Sequence, residues 1–122
     1  MPLLMIFSAC VEGEAKPQDP LWERDSCAHC RMVLSEKRYA VQRILPNGQI
    51  HHYDDIVCAM KHGHAPDEGK LYVRPDGGDE WVDAEKATYE SGLRTPMNSG
   101  FGAVKSGGPV SFQDILHKYK DQ

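Results

Sequence analysis

The stretch "RYAVQRILPNGQIHHYDDIVCAMKHGH", residues 38–64, decides the fold. Residues 38–45 and 49–53 are rich in branched and aromatic side chains, with Pro46-Asn47-Gly48 between them. Asn-Gly tolerates positive φ, so the two runs predict a β-hairpin. A helix is predicted directly after it. Asp54 or Asp55 serves as N-cap, Ile56, Val57 and Met60 share one face, and Gly63 can end it.

The flanking segments extend this pattern. Residues 65–70 predict a loop, 71–74 a short strand, 75–79 a turn and 80–82 another strand. Asp83 is expected to cap a short helix over 84–90, ended by Gly92. Residues 92–108 are glycine-rich and irregular, with a strand at 101–105. Ser111 with Asp114 three positions on is a capping-box pattern, and Phe112, Ile115, Leu116 and Tyr119 follow on one helical face. The expected class is α+β, built from small antiparallel β-hairpin/helix modules. No tandem repeat of fixed period is present.

The N-terminal nine residues, "MPLLMIFSA", are uncharged and mostly apolar. A bilayer span needs about 20 such residues, so this run is too short to cross. It reads as the end of a secretory h-region, with small Ser8 and Ala9 before the cut. A cysteine directly after it, Cys10, resembles a bacterial lipoprotein signal in which that cysteine carries the lipid. A buried apolar strand is the alternative. Residues 11–20 are polar with two prolines and predict a flexible tether. The expected organisation is a signal remnant over 1–9, an anchor and tether over 10–24, and a metal-binding domain over 25–122. The formal net charge is −4 with both signs interspersed, which gives no nucleic-acid footprint.

With Cys10 assigned to lipid, Cys27, Cys30 and Cys58 remain. An odd count outside the cytoplasm leaves a thiol unpaired or metal-bound. In "CAHCRM" (27–32) two cysteines, a histidine and a methionine stand together. Thiolate and thioether are soft donors and together favour Cu(I) over zinc or hard cations. Cys27, Cys30 and Met32 are therefore candidate ligands, with His29 as a further donor. Met97, in a polar glycine-rich loop, is another. Met60 reads as core and Cys58 as a small buried hydrophobe. His62 and His64 flank the helix end and read as solvated, and His51 and His52 alternate on a strand. Three rivals stand beside Cu(I). One is a structural zinc module of Cys27, Cys30, Cys58 and a histidine. Another is a thiol–disulfide oxidoreductase, which normally sets its first cysteine at a helix N-terminus. The third is a Cys27–Cys30 disulfide with Cys58 merely buried.

Over about residues 25–117 the chain resembles the nitrous oxide reductase accessory proteins called NosL. "CAHCRM" is similar to that family's Cys-x-Met core, and "NGQIHHYDDIVCAM" to its hairpin, acidic pair and helix. "EWVDAEKATY", "TPM" (95–97) and "GGPVSFQDIL" are similar to its later segments. The resemblance implies a non-enzymatic, lipid-anchored Cu(I) metallochaperone on the periplasmic side of a bacterial membrane. It would support maturation of the copper sites of nitrous oxide reductase, or of another periplasmic enzyme. It further implies Cys30 as thiolate ligand, Met32 or Met97 as thioether ligand, and Cys27 as the less critical cysteine. The implied fold is two small α+β modules, akin to part of an organomercurial lyase. Met97 and Gly107 are only ten positions apart, so the second module is expected to be shortened.

Overall fold

The structure, a computed structural model, describes residues 16–62 and 68–120. Among these residues two antiparallel sheets and two helices make a small α+β fold. The elements in chain order are β1 (Val41–Ile44), β2 (Ile50–Tyr53), α1 (Ile56–Lys61), β3 (Lys70–Val73), β4 (Val82–Asp83), β5 (Thr88–Glu90), β6 (Gly102–Val104), β7 (Val110–Ser111) and α2 (Phe112–Tyr119). The first sheet has the order β2-β1-β3-β4 and the second β6-β5-β7. Each sheet is followed or interrupted by one helix, and the two helices touch.

The predicted hairpin is present. Val41 stands opposite Tyr53 and Ile44 opposite Ile50. Gly48 turns the chain at φ 91°, and the Leu45 N–H donates to the Gln49 carbonyl at 2.8 Å. β1 lies between β2 and β3 and is buried along its whole length. That explains why its sequence is not alternating, and it forces two polar side chains inside. Both find partners, as buried polar groups must. Gln42 exchanges two bonds with the backbone of Gln18, at 3.1 and 2.9 Å. Arg43 donates to the carbonyls of Glu68 at 2.7 Å and Ala59 at 3.1 Å.

The bonds to Gln18 place part of the expected tether against the domain. One residue on, Asp19 accepts from Arg74 Nη1 and from Trp81 Nε1, both at 2.8 Å. From Gln18 onward the chain is thus tied to the first sheet. Cys10 and the apolar run before it lie outside the described residues, as do Gly63 and His64. Among the described residues no helix is long and apolar enough to cross a membrane.

The helix expected over 84–90 is replaced by β5. Asp83 does cap a turn: its side chain accepts from Glu85 N, and its carbonyl accepts from the N–H groups of Lys86 and Ala87. One turn is too short to persist as an isolated helix. The following Thr88-Tyr89-Glu90 alternates, with Tyr89 buried and donating its hydroxyl to the Ala84 carbonyl at 2.7 Å. Burial of that ring in the second sheet outweighs the local helix signal. β7 is likewise absent from the expectations, because two residues carry no readable period. The capping box before α2 is present in both directions, Ser111 and Asp114 exchanging bonds at 3.0 and 3.1 Å.

One continuous core runs beneath both sheets and includes Val41, Tyr53, Ile56, Val73, Tyr89 and Ile115. Cys27 and Cys58 belong to it. Close backbone approach where β3 begins beside the end of β1 gives a test of the packing. Gly69 has φ 72°, and a Cβ there would lie 2.3 Å from the Ile44 carbonyl oxygen. Both the left-handed backbone and the fixed neighbour oppose a side chain. Gly69→Ala is expected to destabilise the domain by more than about 2 kcal/mol, read by urea unfolding. A change under about 0.5 kcal/mol would show that this approach is looser than described.

Candidate metal centre

Two segments far apart in sequence build the site. The first is the turn carrying Cys27 and Cys30. Arg31 adopts φ 72°, its N–H donates to the Cys27 carbonyl at 3.0 Å, and the Cys27 N–H donates to the Met32 carbonyl at 2.8 Å. These bonds fold the C-x-x-C sequence back on itself. Ala28 N–H donates to the His52 carbonyl at 2.8 Å, which fixes the turn to β2. The second segment is the junction of β2 and α1, where Asp54 and Asp55 divide two tasks. Asp55 is the N-cap of α1. Asp54 turns the other way, into the thiols. Cys58 follows Asp54 by four positions, so the two side chains stack on one face as α1 begins.

The result is a group of four donors, Cys27, Cys30, Asp54 and Cys58, whose ligand atoms all lie within 4.8 Å of one another. All three cysteines are free thiols. Cys30 Sγ lies 3.4 and 3.6 Å from the two Asp54 oxygens, and Cys58 Sγ lies 3.5 Å from Oδ1. The Cys30 backbone N–H donates to Cys27 Sγ at 3.4 Å. Cys27, Cys58 and Asp54 are buried, and Cys30 is half-buried.

Four acids in so small a space cannot all ionise without a cation. The charge settles on Cys27. A hydrogen bond from Cys58 holds its thiol down to about 4, and the backbone N–H groups of Cys30, Asp54 and His29 reinforce this against burial. The same bond from the other side, with burial, pushes the Cys58 thiol well up. Burial pushes Cys30 up to about 11, aided by Cys27 and the Asp54 charge. Burial also raises the Asp54 carboxyl to about 6, and the Cys27 charge adds to it. Near neutral pH the group therefore presents a thiolate and a carboxylate beside two held protons. A soft cation would replace those protons, which is how such sites bind metal.

This arrangement opposes disulfide exchange. The thiolate that could attack, Cys27, has no exposed surface, and the more accessible Cys30 keeps its proton. Neither stands at a helix N-terminus.

Of the residues singled out in the sequence, Cys27 and Cys30 enter the group. Met32 is 53% exposed and Met97 38% exposed. Met97 is drawn toward the neighbourhood through its backbone. Its N–H donates to Asp55 Oδ2 at 2.9 Å, and Ser99 Oγ donates to Asp55 Oδ1 at 2.6 Å. The loop bearing Met97 is thus pinned to the residue next to Asp54. Met60 packs against the core, as expected. Cys58 is buried, as expected, yet its sulfur is also one of the four donors. Asp54 entered the sequence reading only as a possible cap. The signal for both was the Asp-x-x-x-Cys spacing across the helix start, which sets a carboxylate over a thiol.

Compared with protein-family models, curated proteins and solved structures, the chain matches none.

Proposed function

We propose that the chain is a lipid-anchored Cu(I) metallochaperone on the periplasmic side of a bacterial membrane, acting by binding and release rather than catalysis. The observation that carries this reading is the convergence of three thiols on one point, with Cys30 at the accessible edge. Thiolates are the donors that Cu(I) favours. A half-buried donor beside an exposed thioether at Met32 gives an incoming partner somewhere to begin ligand exchange. The anchor at Cys10, and nitrous oxide reductase as recipient, rest on the lipoprotein-like N-terminus and on the family resemblance. Another periplasmic copper enzyme would suit the same donors.

One feature favours a second reading, a structural zinc site. Asp54 adds an oxygen to the three sulfurs, and four protein donors in the core match the closed tetrahedral shell of structural zinc. Asp54 takes the place that a histidine held in the sequence expectation. The two readings separate in one experiment. Protein reduced and offered Cu(I) and Zn(II) together is expected to retain one Cu(I), measured by metal analysis and competition with a Cu(I) chelator. In the same assay Asp54→Asn should leave Cu(I) affinity within about threefold, because a carboxylate oxygen is a poor Cu(I) donor. Retention of stoichiometric zinc, with a large loss in Asp54→Asn, would establish the zinc reading instead.

A further inference from the structure

We propose that Trp22, Arg74 and Trp81 form a carboxylate-binding site, filled in cis by Asp19 and open to exchange with an acidic side chain of a partner protein. The inference holds whichever ion the thiols take, since none of these residues is among their donors.

The first sheet assembles the site by register. Arg74 directly follows β3 and continues its ladder: the Arg74 N–H donates to the Ala40 carbonyl, and the Arg74 carbonyl accepts from Tyr39 N–H, both at 2.9 Å. Trp81 directly precedes β4. Val73 stands opposite Val82, so the next residues outward, Arg74 and Trp81, meet across the mouth of the hairpin. The guanidinium carbon lies 5.2 Å from the centre of the Trp81 ring, a cation–π distance. Gln42 stands opposite both His52 and Tyr72, and Arg74 is two positions beyond Tyr72, so all four share one face. The N-terminal segment crosses that face. Gln18 is held by Gln42, and Asp19 Oδ1 accepts from Arg74 Nη1 and Trp81 Nε1.

Two observations separate this from a plain surface ion pair. The first is a mismatch in exposure. The Arg74 side chain is 7% exposed and that of Asp19 49%. A buried guanidinium has given up its water and must keep an anion beside it. The acid loses less by leaving, because half of it already faces solvent. The second is a surplus of donors. Trp22 Nε1, Arg74 Nε and His52 Nδ1 are all buried without a hydrogen-bond partner among the described residues. The His52 ring lies 6.4 Å from that of Trp81. The Trp22 N–H makes no bond yet acts on the Asp19 charge. Burial pushes the Asp19 carboxyl up, but the Trp81 indole, the Arg74 guanidinium and the Trp22 indole together hold it below the usual carboxylate range. Asp19 takes both of its 2.8 Å bonds on one oxygen. A carboxylate engaging both oxygens has Arg74 Nε and Trp22 Nε1 still to bond, in the forked manner a guanidinium favours. Asp19, tied one residue earlier through Gln18, therefore under-fills the site, and an acid free of that tie can compete. The two indoles, with Leu21 61% exposed next to Trp22 in the chain, give an apolar rim that suits a peptide better than a small free ion.

The chain has only two tryptophans, both in the site, so indole N–H resonances of the full reduced chain report on it alone. The probe is the blocked peptide acetyl-Gly-Asp-Gly-amide, with its Asn counterpart and acetate compared at matched ionic strength. Asp19→Ala should bind the Asp peptide saturably, both indole resonances shifting together, at least tenfold more tightly than wild type, where Asp19 competes. The Asn peptide should shift neither. Adding Arg74→Gln should abolish the effect. Adding Trp81→Phe instead keeps a ring without its N–H and should weaken binding about tenfold, read at Trp22; this arm decides alone if the Arg74 variant loses its native amide spectrum. Equal affinity in wild type and Asp19→Ala, no saturable shift in Asp19→Ala, or equal shifts with the Asn peptide would overturn the site. Acetate binding as tightly as the Asp peptide would overturn the protein partner.

Discussion

Cys58→Ser is expected to lower Cu(I) affinity about a thousandfold, although this cysteine reads from sequence as a simple core residue. The loss has two sources. Serine offers a hard oxygen where a soft sulfur stood, which is a poor donor for this ion. The substitution also removes the S–H group that sets the Cys27 charge. A thousandfold loss corresponds to about 4 kcal/mol of binding. Cys27→Ser should do comparable damage, because it removes the group on which the negative charge settles. Cys30→Ser should cost a similar factor and also slow transfer to an acceptor. The resemblance implied that Cys27 would matter less than Cys30; the geometry predicts near parity. Chelator competition on the three variants, each first shown to be folded by circular dichroism, makes the measurement. A Cys58→Ser protein within threefold of the parent would remove Cys58 from the site.

Binding should grow about a hundredfold tighter per pH unit from near 7 up to about 9. Cys27, held down to about 4, is already ionised across this range. Cys30 and Cys58 are both raised and must each give up a proton to bind as thiolates. Raising pH removes the competing protons, so affinity rises with pH, tenfold per unit for each proton released. Below about 6 the Asp54 carboxyl also becomes protonated. If Asp54 is a ligand, the slope then steepens toward three. Proton release on adding metal at pH 7.5, read with an indicator in weak buffer, should be about two per ion. A value near one would mean that only Cys27 and Cys30 hold the ion.

The hairpin and helix at 41–61 were legible because period, turn residues and N-cap agree over a long stretch. The last helix was legible for the same reason, through its capping box. The segment 84–90 was misread because Asp83 and the apolar spacing mimic a helix start. What decides it is the burial of Tyr89 between strands 12 or more positions away, which no local pattern contains. The candidate site was half legible. Cys27 and Cys30 announce themselves by spacing. Cys58 stands among the ligands only in the zinc alternative, because a single buried cysteine looks the same whether it only packs or also binds. Asp54 was hidden by its neighbour: two consecutive aspartates before a helix suggest one cap and one spare, and the spare is the donor.

Cys27 and Cys58 stand 31 positions apart in the chain. An ion gripping both would therefore be a removable cross-link, closing a loop that takes in the whole hairpin and the first half of the first helix. A permanent link of that span would restrict the unfolded chain by about 3–4 kcal/mol of entropy. The ion gives a comparable restraint only while it stays. On the proposed reading, a carrier built this way would surrender part of its own folding stability each time it parted with its cargo. The loaded protein would be the stiffer one and the emptied protein the softer one. A docking partner could thus distinguish the two by how readily residues 27–58 deform, without touching the metal at all.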